Sequence, residues 1–319
     1  MQVNEACADD CSEFADKSIS ISIGFRYKDN RDLELPQSGR DSSFYYQQAA
    51  NYTDNRMQLL DEDATSKSTF LKKLTEETKS ATYVNINYSG HGTVSNGKWE
   101  MILPNAPERY LHLHCFDFMM NEKFCAGVQN YIVTDSELRN ALGPNKKIFG
   151  IIDSCHSGSI DLGPNSTVLA ASARDQGAYS QPDSNHGALT GTLIKLSNQC
   201  NLDKNKDGKI SATELLSQFS QMPPDSTHQS RSSSFQDVQN LRQGKILSLP
   251  QQFSDGRTTA EETSFGANLT GEQRPGIIGN AKAPWLNCLN FSRPVNSSCG
   301  KTQNADGSNA NGTGIHSVD

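Results

Sequence analysis

The chain of 319 residues contains no run of about 18 or more apolar residues, so no segment is expected to span a membrane as a helix. Apolar content is low: hydrophobic residues make up 34% and the mean hydropathy is -0.62. That suits one α/β core with long polar loops better than two full cores. Positive charge is also short. Lys and Arg number 29 against 36 Asp and Glu, a net charge of -7, which argues against nucleic acid as a partner and suits cationic substrates. The opening stretch, MQVNEACADDCSEFADKS, has no apolar segment and does not read as a signal peptide. A mature chain given a start methionine would look the same.

Cysteine is not lacking. Six of the eight cysteines fall into local couples, Cys7 with Cys11, Cys115 with Cys125, and Cys288 with Cys299, which leaves Cys155 and Cys200. Local couples in polar loops suggest disulfides and therefore an oxidising compartment, secreted or periplasmic. Spacing alone does not fix their connectivity, and scattered reduced thiols are the alternative. His112-x-His114-Cys115, with Cys125 further on, could hold zinc, because His at i and i+2 of a strand share a face. The stretch is polar and irregular and has no second close ligand couple, so a disulfide or plain surface residues are the better reading. Seven Asn-x-Ser/Thr triplets, at Asn51, Asn87, Asn165, Asn268, Asn290, Asn296 and Asn311, are what chance gives in so Asn- and Ser-rich a chain.

Periodicity sets out the rest. SISISIGF (18–25) alternates Ile with Ser and reads as a first strand. SGRDSSFYYQQAANY opens a helix, RMQLL (56–60) is a short strand, and DEDATSKSTFLKKL offers Thr and Ser caps ahead of Phe70, Leu71 and Leu74 on one helix face. YVNINYSGHG (83–92) is a strand running into a glycine turn, and KWEMILP (98–104) is another strand. Residues 105–133 form an insertion without a clear period. Thr134 and Glu137 make a capping box before Leu138, Ala141 and Leu142. KKIFGIID (146–153) is apolar without alternation, as a central parallel strand should be. VLAASA (168–173) is a strand and ALTGTLIKL (188–196) a helix. Beyond residue 250 the chain is mostly Ser, Thr, Asn, Gly and Gln, and its last twenty or so residues lack apolar periodicity. Strands alternating with helices imply a mainly parallel sheet with helices on both faces.

Open parallel sheets build their sites at the carboxyl ends of strands. Two strands here end in reactive residues, at Ser89-Gly90-His91-Gly92 and at Asp153-Ser154-Cys155-His156-Ser157-Gly158. A cysteine nucleophile needs a base or cation nearby to supply thiolate near neutral pH. Glycines beside both residues let substrate backbone approach and free N–H groups for an oxyanion. Isolated His and Cys residues are more often structural.

YSGHG after one apolar strand and DSCHSG after another resemble the signature pair of metacaspases and bacterial caspase-like peptidases, family C14 with the caspase–haemoglobinase fold. LLDEDATSKSTFLKKL, TDSELRNAL and VLAASARDQGAYS resemble the family's neighbouring segments in the family's order, over roughly residues 18–250. The caspase signature QAC-x-G is absent, so the metacaspase side fits better. The resemblance implies Cys155 as nucleophile, His91 as base and proton donor, and the N–H groups of Gly92 and Cys155 as oxyanion hole. It also implies an acidic pocket for Arg or Lys, built from Asp153, Ser89 and Asp41, although the family's cysteine beside the last is not kept here. Asp153 could instead be a strand-end carboxylate holding backbone N–H groups. His156 is taken as structural.

Asp203, Asn205, Asp207, Gly208, Lys209, Ile210 and Glu214 fill the positions of an EF-hand loop, DKNKDGKISATE. Side chains at positions 1, 3, 5 and 12 and the Lys209 carbonyl supply oxygens for Ca2+, and Gly208 the sharp turn. Ser211 stands where water often mediates. The loop is unpaired in the sequence, and a bare turn is the alternative.

The expectation is an N-terminal segment (1–17), a caspase-like α/β peptidase domain (18–250) and a polar extension (251–319). Its substrate would be a peptide with a basic residue before the scissile bond, and it would act as a monomer. A transpeptidase using the same dyad, or an inactive calcium-binding scaffold, are the rivals.

Overall fold

The computed structural model describes residues 8–30, 33–107, 127–174, 177–178, 185–197, 202–205, 207, 209–219 and 276–291. The cysteines and histidines of the possible zinc cluster, as well as Cys200 and Gly208, lie outside them. Six strands form the main sheet: β1 (Ser18–Gly24), β2 (Arg56–Leu59), β3 (Tyr83–Ser89), β7 (Lys147–Asp153), β8 (Ser166–Ala170) and β10 (Gly276–Gly279). Their order is β10-β8-β7-β3-β1-β2. All pairs are parallel except β10 with β8. The expected α/β architecture with a mainly parallel sheet is therefore present.

Helices cover both faces. On one side, α3 (Lys67–Thr78) and α4 (Asp135–Leu142) pack Phe70, Leu74 and Leu138 against Ile19, Ile21, Ile23, Val84, Ile86 and Ile152. On the other side, α1 (Ala8–Asp16), α2 (Pro36–Ala49), α5 (Ala188–Ser197) and α6 (Ala212–Phe219) gather around Phe149, Ile151 and Leu169. No described helix is long and apolar enough to cross a membrane.

The Ile/Ser alternation of β1 usually marks a strand with one wet face. Here both faces are buried. The serine face lies under α2, where Tyr52 donates to Ser20 Oγ at 3.1 Å and Asn85 bonds the Tyr52 hydroxyl. Asn87 is buried on the same face, in register with Ser22, so its Asn-x-Ser triplet is not an accessible one.

The strand expected to run into a glycine turn within 83–92 does so after Ser89. β3 stops at Ser89, and β4 (Gly92–Ser95) leaves the main sheet to pair with β5 (Lys98–Ile102) and β6 (Ile132–Thr134) in a separate antiparallel sheet. His91 occupies the break.

The capping box at Thr134 forms as the sequence predicts. Thr134 Oγ1 accepts the Glu137 N–H at 3.2 Å, and Glu137 Oε2 accepts the Thr134 N–H at 2.9 Å. Thr134→Ala removes one of these and leaves α4 a bare N–H. It should cost about 1 kcal/mol in denaturant unfolding. An unchanged midpoint would mean that α4 is held by packing alone.

The disulfide corrects two of the expected local couples, Cys7 with Cys11 and Cys288 with Cys299. Cys11 bonds Cys288, 277 residues away. The reason is tertiary: α1 packs on the 3₁₀ turn Pro284–Cys288, with the Phe14 and Trp285 rings stacked at 6.3 Å. Spacing along the chain carries no sign of that meeting. Residues 276–291, read from the sequence as part of a polar extension, thus join the domain. β10 extends the main sheet, and β11 (Asn290–Phe291) pairs with β9 (Ile210–Ser211).

Candidate active site

β3 and β7 are neighbours in exact parallel register, Ser89 level with Asp153. The Gly90 N–H points to the Asp153 carbonyl at 3.4 Å. Positions 91 and 155 each lie two residues past this level, so both leave the sheet at its carboxyl edge. Gly92 packs directly on the cysteine turn. A Cβ there would stand 2.5 Å from the Cys155 carbonyl oxygen, 2.5 Å from the Trp99 indole nitrogen and 2.8 Å from Ser154 Oγ. Only glycine fits that approach.

His91 is fixed by its backbone and its ring. Tyr27 Oη accepts the His91 N–H at 3.0 Å and donates to the Ile102 carbonyl at 2.7 Å. Tyr88 donates its hydroxyl to the His91 carbonyl at 2.7 Å. Burial raises the pKa of both phenols well above the usual range, so they remain hydroxyl donors. The ring lies against Tyr27, centroids 4.8 Å apart. Its Nε2 stands 2.9 Å from the Leu33 carbonyl. A carbonyl only accepts, so Nε2 carries the proton and Nδ1 keeps the lone pair when the ring is neutral. Burial holds the ring's pKa down to about 4, and the Leu33 bond opposes this weakly. The imidazole is therefore neutral, and basic at Nδ1, near pH 7.

Cys155 is half-buried and free of any disulfide. Its Sγ accepts the Ala178 N–H at 3.3 Å. The turn after it is sharp: His156 adopts a left-handed conformation (φ 58°) and its Nδ1 donates to the Arg174 carbonyl at 2.8 Å. That is a structural use of His156. Trp99 donates to Ser154 Oγ at 3.1 Å, and Ser172 Oγ donates to the Ser154 carbonyl at 3.2 Å.

Beside this edge the three sequence-predicted pocket residues come together. Asp41, on α2, is fully buried, and its Oδ2 accepts from Ser89 Oγ at 2.7 Å and from the Gly187 N–H at 3.1 Å. Asp153 Oδ2 accepts both the N–H and the hydroxyl of Thr190 at 2.8 Å, in the first turn of α5. Burial raises the Asp153 carboxyl above its ordinary range, the Asp41 charge adds to this, and the Thr190 bonds oppose it. Two partners were not foreseen. His186 Nδ1 lies 2.8 Å from Asp41 Oδ1, and Tyr45 donates to Thr190 Oγ1 at 3.1 Å. The sequence offered one signal, a histidine next to the glycine that opens the α5 segment.

The acidic loop stands apart. Glu214 reaches back across it: Oε1 accepts the N–H groups of Lys204 and Asn205 at 2.9 and 3.3 Å, and Oε2 that of Ser211 at 2.9 Å. Asp203 Oδ1 and Asn205 Oδ1 both accept the Asp207 N–H at 3.1 Å, and Asp207 Oδ1 accepts that of Lys209 at 2.8 Å. The donor set is one of hard oxygens, but here the acidic side chains bind the loop's own amides. Among the described residues no three His, Cys, Asp or Glu side chains are grouped to hold a metal.

No protein-family model matches the chain, and no curated protein does. Among solved structures the chain is similar to the Drosophila initiator caspase Dronc, at 10% sequence identity and a TM-score of 0.43, over 69% of this chain and 76% of that one. It is also similar to caspase-1 from Spodoptera frugiperda, at 8% identity and a TM-score of 0.44, over 82% of this chain and 86% of that one.

Proposed function

We propose that the chain is a cysteine endopeptidase of the metacaspase type that cleaves after Arg or Lys. The observation that supports this is the position of His91 and Cys155 at one sheet edge, beside the buried group of Asp41, Ser89 and Asp153. In this reading His91 Nδ1 takes the thiol proton as Sγ attacks the peptide carbonyl carbon. The C–N bond breaks, the proton passes from His91 to the leaving amine, and water then hydrolyses the thioester. The N–H groups of Gly92 and Cys155 stabilise the oxyanion. The Cys11–Cys288 disulfide supports an oxidising, secreted or periplasmic setting.

Calcium at 203–214 belongs to the same proposal. Asp203, Asn205, Asp207, Glu214 and the Lys209 carbonyl would hold it, with Glu214 exchanging its amide partners for the ion. One assay tests the whole reading: fluorogenic peptides ending in Arg, Lys or Asp, with and without calcium, beside calorimetry of calcium uptake. Arg and Lys peptides should be cleaved and the Asp peptide left intact. No cleavage of any of them would leave a scaffold, and amide transfer to an added amine in place of hydrolysis would make it a transpeptidase. Glu214→Gln should weaken calcium uptake strongly. Absence of uptake by the unaltered chain would reduce the loop to a turn.

A further inference from the structure

His186 has no role in the mechanism above, yet its imidazole lies on a pocket carboxylate that is otherwise wholly buried. The contact is built from both sides. Arg40 donates from Nε to the Asn185 carbonyl at 2.7 Å, Asp41 takes His186, and Asp41 also accepts the next amide, that of Gly187. Two consecutive residues of α2 thus clasp three consecutive residues at the entry to α5. Gly187 fits because its Cα lies on the Asp153 carboxylate: a Cβ there would overlap Asp153 Oδ2. The His186 side chain keeps 27% of its surface exposed while the Asp41 side chain keeps none, so the ring stands between the carboxylate and solvent.

We propose that His186 is the built-in counter-ion of the specificity pocket, and that the proton on its ring sets the pocket's charge toward an incoming guanidinium or ammonium. The inference rests on reading Asp41, Ser89 and Asp153 as that pocket. With the ring protonated, Asp41 is already paired, and a basic side chain meets one neutralised carboxylate. With the ring neutral, Nδ1–H still bonds Asp41, but the carboxylate charge is left for the substrate. Charged or titratable groups facing the 185–187 turn include Asp41 and Arg40 of α2 and Asp153 of β7, and Tyr45 of α2 lies next to them on Thr190. Burial keeps the Tyr45 phenol un-ionised. Asp153, whose carboxyl is raised by burial and by Asp41, could imitate His186, and the variant below leaves it in place and so separates the two.

The test is the ratio of kcat/KM for an Arg peptide to that for its citrulline isostere, measured from pH 5 to pH 8. In the unaltered protein the ratio should climb with pH by about ten- to a hundredfold, the size of one unit charge acting across a partly buried pocket. In His186→Gln, which keeps an N–H donor for Asp41 and cannot titrate, the climb should shrink to the part that Asp153 supplies. A flat ratio in the unaltered protein, or an unchanged slope in His186→Gln, overturns the proposal; the second result assigns the titration to Asp153. A ratio near one at every pH in both proteins overturns the basic-pocket reading itself. Should His186→Gln not fold, the His186 ring resonances of the unaltered protein answer the question. Benzamidine in the pocket should lower the pH at which they titrate, and an unmoved titration overturns the proposal.

Discussion

Cys155→Ala and His91→Ala should each abolish peptide cleavage, with kcat/KM falling by about 10⁴-fold or more and the fold retained. The size of the loss follows from the geometry of the edge. Cys155 is the one cysteine outside a disulfide among the described residues. The Leu33 carbonyl fixes the His91 tautomer that leaves Nδ1 basic. Each residue is useless without the other, so the double variant should be little worse than either single one. His91→Ala carries a second signature. Burial holds the folded ring near pKa 4, below the ~6.5 of an unfolded histidine. Between those values the unfolded chain binds the extra proton, so stability rises with pH across the window and is lost as pH falls from about 6.5 through about 4. His91→Ala should lack that component of the Tm-against-pH curve, and Cys155→Ala should keep it. Robust turnover by Cys155→Ala would end the mechanism.

Local signals carried most of the fold. The IFGII run of 148–152 is central because no residue in it faces water, and Thr134 with Glu137 announces α4 by chemistry complete within four residues. The positions of His91 and Cys155 at one sheet edge were legible for the same reason: each follows its strand directly. What stayed hidden was tertiary. β1 alternates like a half-exposed strand although its serine face is buried under α2, where Ser20 bonds the Tyr52 and Asn85 side chains. Cys11 and Cys288 meet because α1 and the 284–288 turn share a core, and β10 joins the sheet from a stretch whose composition reads as extension. His186 reaches Asp41 across 145 residues, a distance over which no spacing rule operates.

Asp153→Asn should lose activity toward Arg peptides while making the protein more stable. The first effect follows from charge. A desolvated carboxylate meets guanidinium in a charge-assisted, often bidentate bond and meets Lys as a point charge, so Arg should exceed Lys in the unaltered protein. Removing one partner of such a pair costs roughly 2–5 kcal/mol, here read as kcat/KM for Arg peptides, and should do far less to a neutral side chain. The second effect follows from burial. Asp153 stands beside Asp41 at the sheet edge, and both burial and that charge raise its carboxyl above the unfolded value. For an acid shifted upward the folded state binds the extra proton, so stability falls as pH rises from the unfolded pKa of ~3.9 through the raised one. At neutral pH the ionised Asp153 therefore weakens the fold. Asparagine keeps an oxygen for the Thr190 N–H and hydroxyl and carries no charge to bury. A higher Tm together with a collapsed Arg preference would separate loss of a specificity group from loss of structure. An unchanged Arg preference in Asp153→Asn would move the role to Asp41, and a preference for Asp before the scissile bond in the unaltered protein would overturn the pocket assignment, since two buried carboxylates repel a third.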